Sequence, residues 1–185
     1  MEMISKHSPS LLLSLEMSAR TFGRIISKYG NSVQKDQWLP DLLQGKMIGA
    51  VALSEKAMNI ENDQFETGGI KRDDGIEING KKRYVVNAPI ADWIAVCGNY
   101  EGENAVFLVS KDSEGLVIGK RMFTLGYDGA AISDVTFTKC VIPLNQLILS
   151  LNKDDIIVNV RQWENQILIG SSLGIMQSAF DSANA

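Results

Sequence analysis

The scarcity of histidine and cysteine in this sequence restricts what chemistry it could carry. His7 is the single histidine among 185 residues. A His-dependent nucleophilic triad and a multi-histidine metal site are therefore excluded by count, and no metal site is expected. His7 reads as a solvated or capping residue. Cys97 and Cys140 have neither a metal-ligand spacing nor a disulfide framework. They read as free thiols packed as small hydrophobes, which fits a reducing compartment, and the expected location is cytoplasmic. Ser54 follows the apolar run ending at Leu53, Tyr84 and Val86 lie in an alternating stretch, and Glu164 lies in a helical one; composition and spacing do not set them apart from the chain's other hydroxyls and carboxylates. Taken singly, Ser54 starts a turn, Tyr84 and Val86 form ordinary cross-strand pairs, and Glu164 is a solvated helix carboxylate. Two chemistries are open to such a set. A carboxylate held against a substrate can act as a general base. A strand end can aim N–H groups and a hydroxyl at developing negative charge.

The elements that would position these residues are legible from periodicity. Residues 8–30 read as a helix, with Ser8 or Ser10 as cap and Pro9 in the first turn. Leu11, Leu15, Phe22 and Ile26 recur along it at helical steps, and Gly30 closes it. A shorter helix over 32–44 carries Val33, Trp38, Leu42 and Leu43, with Pro40 as a break risk. From residue 47 the character changes to short strands. These are 47–53, 69–87 with hairpin turns at Asp73-Asp74-Gly75 and Asn79-Gly80, 93–98, 104–110, 116–122 and 131–142. After Pro143 the pattern returns to helix. Residues 154–183 place Ile157, Val160, Ile167, Leu168, Leu173, Met176 and Phe180 on the apolar positions, and Gly170 and Gly174 mark a close helix–helix contact.

The order is thus helix, helix, β-domain, helix. The expected fold is α+β: a small antiparallel, β-barrel-like domain flanked by helices. Hydrophobic content of 45% and charged content of 22% are ordinary for a globular chain. A net charge of −4, with no Lys/Arg cluster, argues against a nucleic-acid partner. No run reaches the roughly 18 apolar residues of a membrane span. The large apolar helix faces need partners, so a homo- or hetero-oligomer is expected.

Several phrases in this order resemble the acyl-CoA dehydrogenase family. They are L-P-D-L-L-Q-G (39–45), L-S-E (53–55), N-G-K-K-R-Y-V-V-N-A (79–88), and L-G-Y-D-G-A-A-I-S-D-V-T-F-T-K-C-V-I-P (125–143). The similarity runs along essentially the whole chain. It implies the end of an N-terminal helical domain over 1–45, a middle β-domain over 46–150, and the first helix of a C-terminal helical domain over 151–185. Members of the family extend beyond these limits, which makes the chain a fragment or a shortened relative. The resemblance implies a flavoprotein that oxidises an acyl-CoA substrate at Cα–Cβ, passes hydride to FAD, and delivers electrons to an electron-transferring flavoprotein.

The resemblance also assigns residues. Leu53, Ser54, Tyr84 and Val86 fall on flavin-contacting positions. Glu164 falls on the position where a minority of members, the isovaleryl and long-chain enzymes among them, carry the base that takes the α-proton. Four departures stand against the family pattern. Val86 replaces a threonine donor. Asp128 replaces an arginine and Ala130 a serine. The segment K-A-M-N-I-E-N-D (56–63) lacks the glycine and serine of a cofactor-cradling loop. These losses frame the alternative, a non-catalytic scaffold or partner subunit that kept the fold.

Overall fold

The computed structural model describes residues 1–56, 64–150 and 155–184. Most of the glycine-free segment 56–63 lies outside them. The N-terminal helices are α1 (Glu2–His7), α2 (Pro9–Leu15), a π-helical stretch (Glu16–Phe22), α3 (Gly23–Tyr29) and α4 (Ser32–Leu43). Ser8 caps α2 by accepting from the Leu11 N–H, with Pro9 in its first turn as expected. The π-helical stretch is a departure. Its wider turn shifts the helical phase, so the step-of-four pattern does not continue through it. Leu11 and Leu15 are consequently exposed, and Leu12 is buried with Phe22 and Ile26. In α4 the helix continues through Pro40, flanked by buried Trp38 and Leu42, while Val33 and Leu43 face solvent. Packing on either side of Pro40 outweighs the lost hydrogen bond.

The strands are β1 (Gly49–Ala52), β2 (Gly68–Arg72), β3 (Gly75–Val86), β4 (Trp93–Tyr100), β5 (Glu103–Ser110), β6 (Leu116–Ile118), β7 (Ile132–Ile142) and β8 (Leu147–Leu149). They form one sheet in the order β6-β7-β3-β2-β4-β5-β8, with β1 also on β4. The sheet is mixed, because β1 and β2 both pair with β4 in parallel. It curls around a core of its own but is not closed into a barrel. Alternation along β4 and β5 separates two apolar clusters. Ala95, Cys97, Val106 and Leu108 face the helices. Ile94, Val96, Phe107 and Val109 face Ile76, Ile78, Phe137 and Ile142 inside the curl.

Asp73-Asp74-Gly75 turns β2 into β3 as expected. Asn79-Gly80 does not turn. It lies inside β3, at a register shift against β7 between Ile78 and Gly80. The Asn79 side chain accepts from Lys139 N–H at 2.8 Å, which ties the bulge to β7 and replaces the hairpin. Gly80 has φ +152°, and a Cβ there would stand 2.4 Å from Thr67 Oγ1 and 2.6 Å from Thr67 Cα. Gly80→Ala is expected to destabilise the fold by at least ~2 kcal/mol in chemical denaturation, through overpacking and backbone strain together.

Helix α5 (Ile156–Ala183) is capped by Asp155 and lies across the N-terminal helices. Its inner face is Ile156, Ile157, Val160, Trp163, Ile167, Gly170, Ser171 and Gly174. Gly170 and Gly174 admit α1 closely: a Cβ at Gly174 would lie 2.6 Å from the Glu2 carbonyl oxygen. Ser5 donates to the Ser171 carbonyl at 2.7 Å. Leu168, Leu173, Met176 and Phe180 are exposed instead of buried.

Candidate functional site

A cleft of about 200 Å³ opens between α5, the α2/π-helical segment, and the ends of β1 and β3. Leu13 and Met17 form one wall. Val51 and Leu53 supply the floor from β1 and the residue after it, followed by Ser54. Arg83, Tyr84 and Val86 come from the end of β3, and Glu164, Ile167 and Leu168 from α5. The five residues singled out in the sequence, Leu53, Ser54, Tyr84, Val86 and Glu164, therefore meet in one place.

The sequence folds this way locally for identifiable reasons. Strand β1 approaches the π-helical stretch closely because Gly49 has no side chain; a Cβ there would lie 2.4 Å from the Phe22 ring. Ser18 accepts from Gly49 N–H at 3.0 Å, and Asn87 donates from Nδ2 to the Ser14 carbonyl at 2.8 Å. Tyr84 sits in a second bulge of β3 with φ +55°, left-handed and unusual for an aromatic residue. Asp134 holds that conformation. Its Oδ1 accepts from Arg83 Nε at 3.2 Å and from Tyr84 N–H at 3.3 Å. The Arg83 guanidinium lies 5.2 Å from the Tyr84 ring centroid. The Tyr84 ring is thereby turned out of the sheet and toward the cleft.

Glu164 is half-buried, and burial pushes its carboxyl up to about 7, with Arg161 pulling the other way. A carboxylate at that value is divided between acid and base near neutral pH, the condition suited to proton abstraction. Val86 lies in the wall with no donor to offer. Of the other altered positions, Ala130 is buried, and Asp128 is exposed with its carbonyl bonded by Arg121. Among the described residues no cluster of His, Cys, Asp and Glu could hold a metal ion.

Sequence reasoning missed Leu13, Met17 and Arg83. It also missed a buried ion pair behind the cleft, in which Lys82 Nζ stands 2.6 Å from Glu55 Oε1. Leu13 and Met17, four apart on a helix, and Glu55, next to Ser54, carried the usable signals. Lys82, between Lys81 and Arg83, carried only its place in step with the buried Ile76 and Ile78 on β3.

The curled sheet, with α5 above its cleft and a half-buried carboxylate on that helix, belongs to a known class. Residues 50–140 match the family model "Acyl-CoA dehydrogenase, middle domain". The chain belongs to the acyl-CoA dehydrogenase family. It is 30% identical to the mitochondrial isovaleryl-CoA dehydrogenase of Bos taurus over 98% of this chain and 44% of that one. Butyryl-CoA dehydrogenase from Megasphaera elsdenii shares its fold, with a TM-score of 0.89 at 22% identity over 98% of this chain and 49% of that one. An FAD-dependent dehydrogenase aligns with a TM-score of 0.84 at 26% identity over 94% of this chain and 48% of that one. The chain spans about half the length of the relatives it matches. No helix among the described residues is long and apolar enough to cross a membrane.

Proposed function

We propose that the cleft receives the ring system of FAD and an acyl-CoA thioester, and that the protein of which these residues are part oxidises the thioester to its 2-enoyl form. The observation that carries this reading is the convergence of Glu164, with its carboxyl near neutrality, and Leu53, Ser54, Tyr84 and Val86 on one apolar cleft. A relative that carries the name isovaleryl-CoA dehydrogenase supports it, in keeping with the sequence resemblance that assigns Glu164 to the base position of that branch.

The residues fit the group. Leu53 and Val86 give apolar contact, the Tyr84 ring a face to stack on, and Ser54 a hydroxyl and backbone at the polar rim. The flavin, when bound, supplies the acceptor for the β-hydride. Glu164 takes the α-proton onto its carboxylate as the Cα–H bond breaks, and the electron pair left behind forms the Cα=Cβ bond as hydride departs from Cβ. The apolar walls Leu13, Met17 and Ile167 keep water from the reacting carbons. Electrons then leave to an electron-transferring flavoprotein.

The division at 1–45, 46–150 and 151–185 is part of the proposal, as is an oligomer or larger assembly. The exposed stripe of Ile169, Leu173, Met176 and Phe180 on α5 supports the latter. A reducing, cytoplasmic setting is supported by the two buried free thiols.

The test is anaerobic mixing of the flavin-loaded protein with short branched acyl-CoA thioesters. Bleaching of the flavin absorbance, with enoyl product, is the expected result. The absence of donors at Val86 and Ala130 favours the second reading, a partner subunit without catalysis. A folded protein that retains no flavin would establish that reading, a scaffold or partner subunit that lost the flavin contacts, and remove the first.

A further inference from the structure

The buried pair Glu55–Lys82 has no part in the proposed proton or hydride transfer, yet it is bonded on several sides. Lys82 is fully buried, and the Glu55 side chain is 3% exposed. Glu55 Oε1 accepts from Lys82 Nζ at 2.6 Å and from Thr67 N–H at 3.0 Å. Its Oε2 accepts from Glu66 N–H at 2.8 Å. Lys82 also donates to the Leu53 carbonyl at 3.1 Å, and its ammonium stands 4.1 Å from the Phe65 ring centroid.

The consequence is topological. One carboxylate joins the residue that precedes the segment 56–65 to the two residues that follow it. The far end is itself fixed. The Thr67 carbonyl accepts from Asn99 N–H at 3.0 Å, and Gly80 and Gly98 leave it no free space. The near end is held from two sides, because the Ser54 carbonyl accepts from Arg83 N–H at 2.8 Å and the Leu53 carbonyl from Lys82. Leu53 and Ser54 line the cleft directly. Desolvating two charges is costly, and a buried ion pair is rarely the cheapest way to fill space. A role in fixing backbone geometry accounts for what apolar packing could not supply.

We propose that Glu55 and Lys82 are positioning residues. They staple the two ends of segment 56–65 and so hold Leu53 and Ser54 in the geometry that receives the flavin's polar edge. The flavin part of this inference rests on the function proposed above; the staple itself does not.

The experiment uses Lys82→Met and the neutral double variant Glu55→Gln/Lys82→Met, which leaves no unpaired buried charge if the single variant fails to fold. Ile76→Val, a core change inside the sheet curl, serves as the comparison. Limited chymotrypsin digestion reads cleavage after Phe65, which is buried and becomes accessible only when the staple opens. FAD titration by fluorescence quenching reads affinity. The expected result is at least ~10-fold faster cleavage after Phe65 and at least ~10-fold weaker FAD binding in the folded staple variants, with Ile76→Val unchanged in both. Unchanged Phe65 protection in a folded double variant overturns the staple. Faster cleavage with unchanged FAD affinity overturns the positioning of Leu53 and Ser54. Equal effects from Ile76→Val reduce the pair to general stability and overturn the proposal. If the unaltered protein takes no FAD, the flavin reading fails, and the positioning role falls with it, while Phe65 protection still decides the staple.

Discussion

Glu164→Gln is expected to lower thioester oxidation by ~10²–10⁴-fold while leaving flavin binding intact. The amide keeps the shape of the carboxylate and cannot accept the α-proton. The unaltered protein should gain activity as pH rises through about 7, where the Glu164 carboxyl loses its proton. The variant should show no such limb. A second readout does not depend on turnover. Burial raises Glu164 from its ordinary 4.5 to about 7, so between those values the folded form binds the proton more tightly than the unfolded chain does. The stability this contributes is fully present below about 4.5 and lost as pH rises through about 7. Glutamine is neutral throughout. Glu164→Gln should therefore be the more stable protein above neutrality, by up to ~3 kcal/mol, with the difference vanishing in acid. Thermal unfolding of both proteins across pH checks the sign. A variant that keeps full turnover, or that is destabilised at alkaline pH, would remove Glu164 from the site.

Lys82→Ala is expected to cost ~3–5 kcal/mol of stability, a fall in Tm on the order of 10 °C for a chain of this size. The alanine leaves the Glu55 carboxylate buried against the space the ammonium vacated. Glu55→Gln/Lys82→Met should recover at least half of that loss, because no net charge then remains in the core. Chemical denaturation of the two variants measures the difference directly. Acid weakens the pair in the intact protein. Burial alone would raise the Glu55 carboxyl, but the hydrogen bonds from Lys82 and the Glu66 N–H leave it below its ordinary value. Its contribution is thus present above the ordinary carboxylate range and is lost as pH falls through the depressed value. Burial pushes the Lys82 ammonium down, and Glu55 restores part of its charge. Equal stability of Lys82→Ala and the unaltered protein would mean that water reaches Glu55.

The sequence by itself determined the order of elements and marked five of the eleven residues that line the cleft. Periodicity separates helix from strand here because most apolar positions recur at steps that fit one period or the other. Resemblance then marked Leu53, Ser54, Tyr84, Val86 and Glu164, which lie far apart in the chain and meet only in the fold. Three decisions belonged to tertiary structure. Asn79-Gly80, a hairpin signal in isolation, became a bulge because β3 continues through it along β7, and Thr67 fills the space beside Gly80. The π-helical stretch moved Leu11 and Leu15 to the surface and brought Leu13 and Met17 to the cleft, a change of phase that no local propensity encodes. The outward turn of Tyr84 follows from a second bulge held by Asp134, and Lys82, just before that bulge, is held inward by Glu55. Local sequence sets which conformations are cheap. Long-range partners choose among them: the Lys82–Glu55, Tyr84–Asp134 and Asn87–Ser14 bonds each join residues more than 25 apart in the chain.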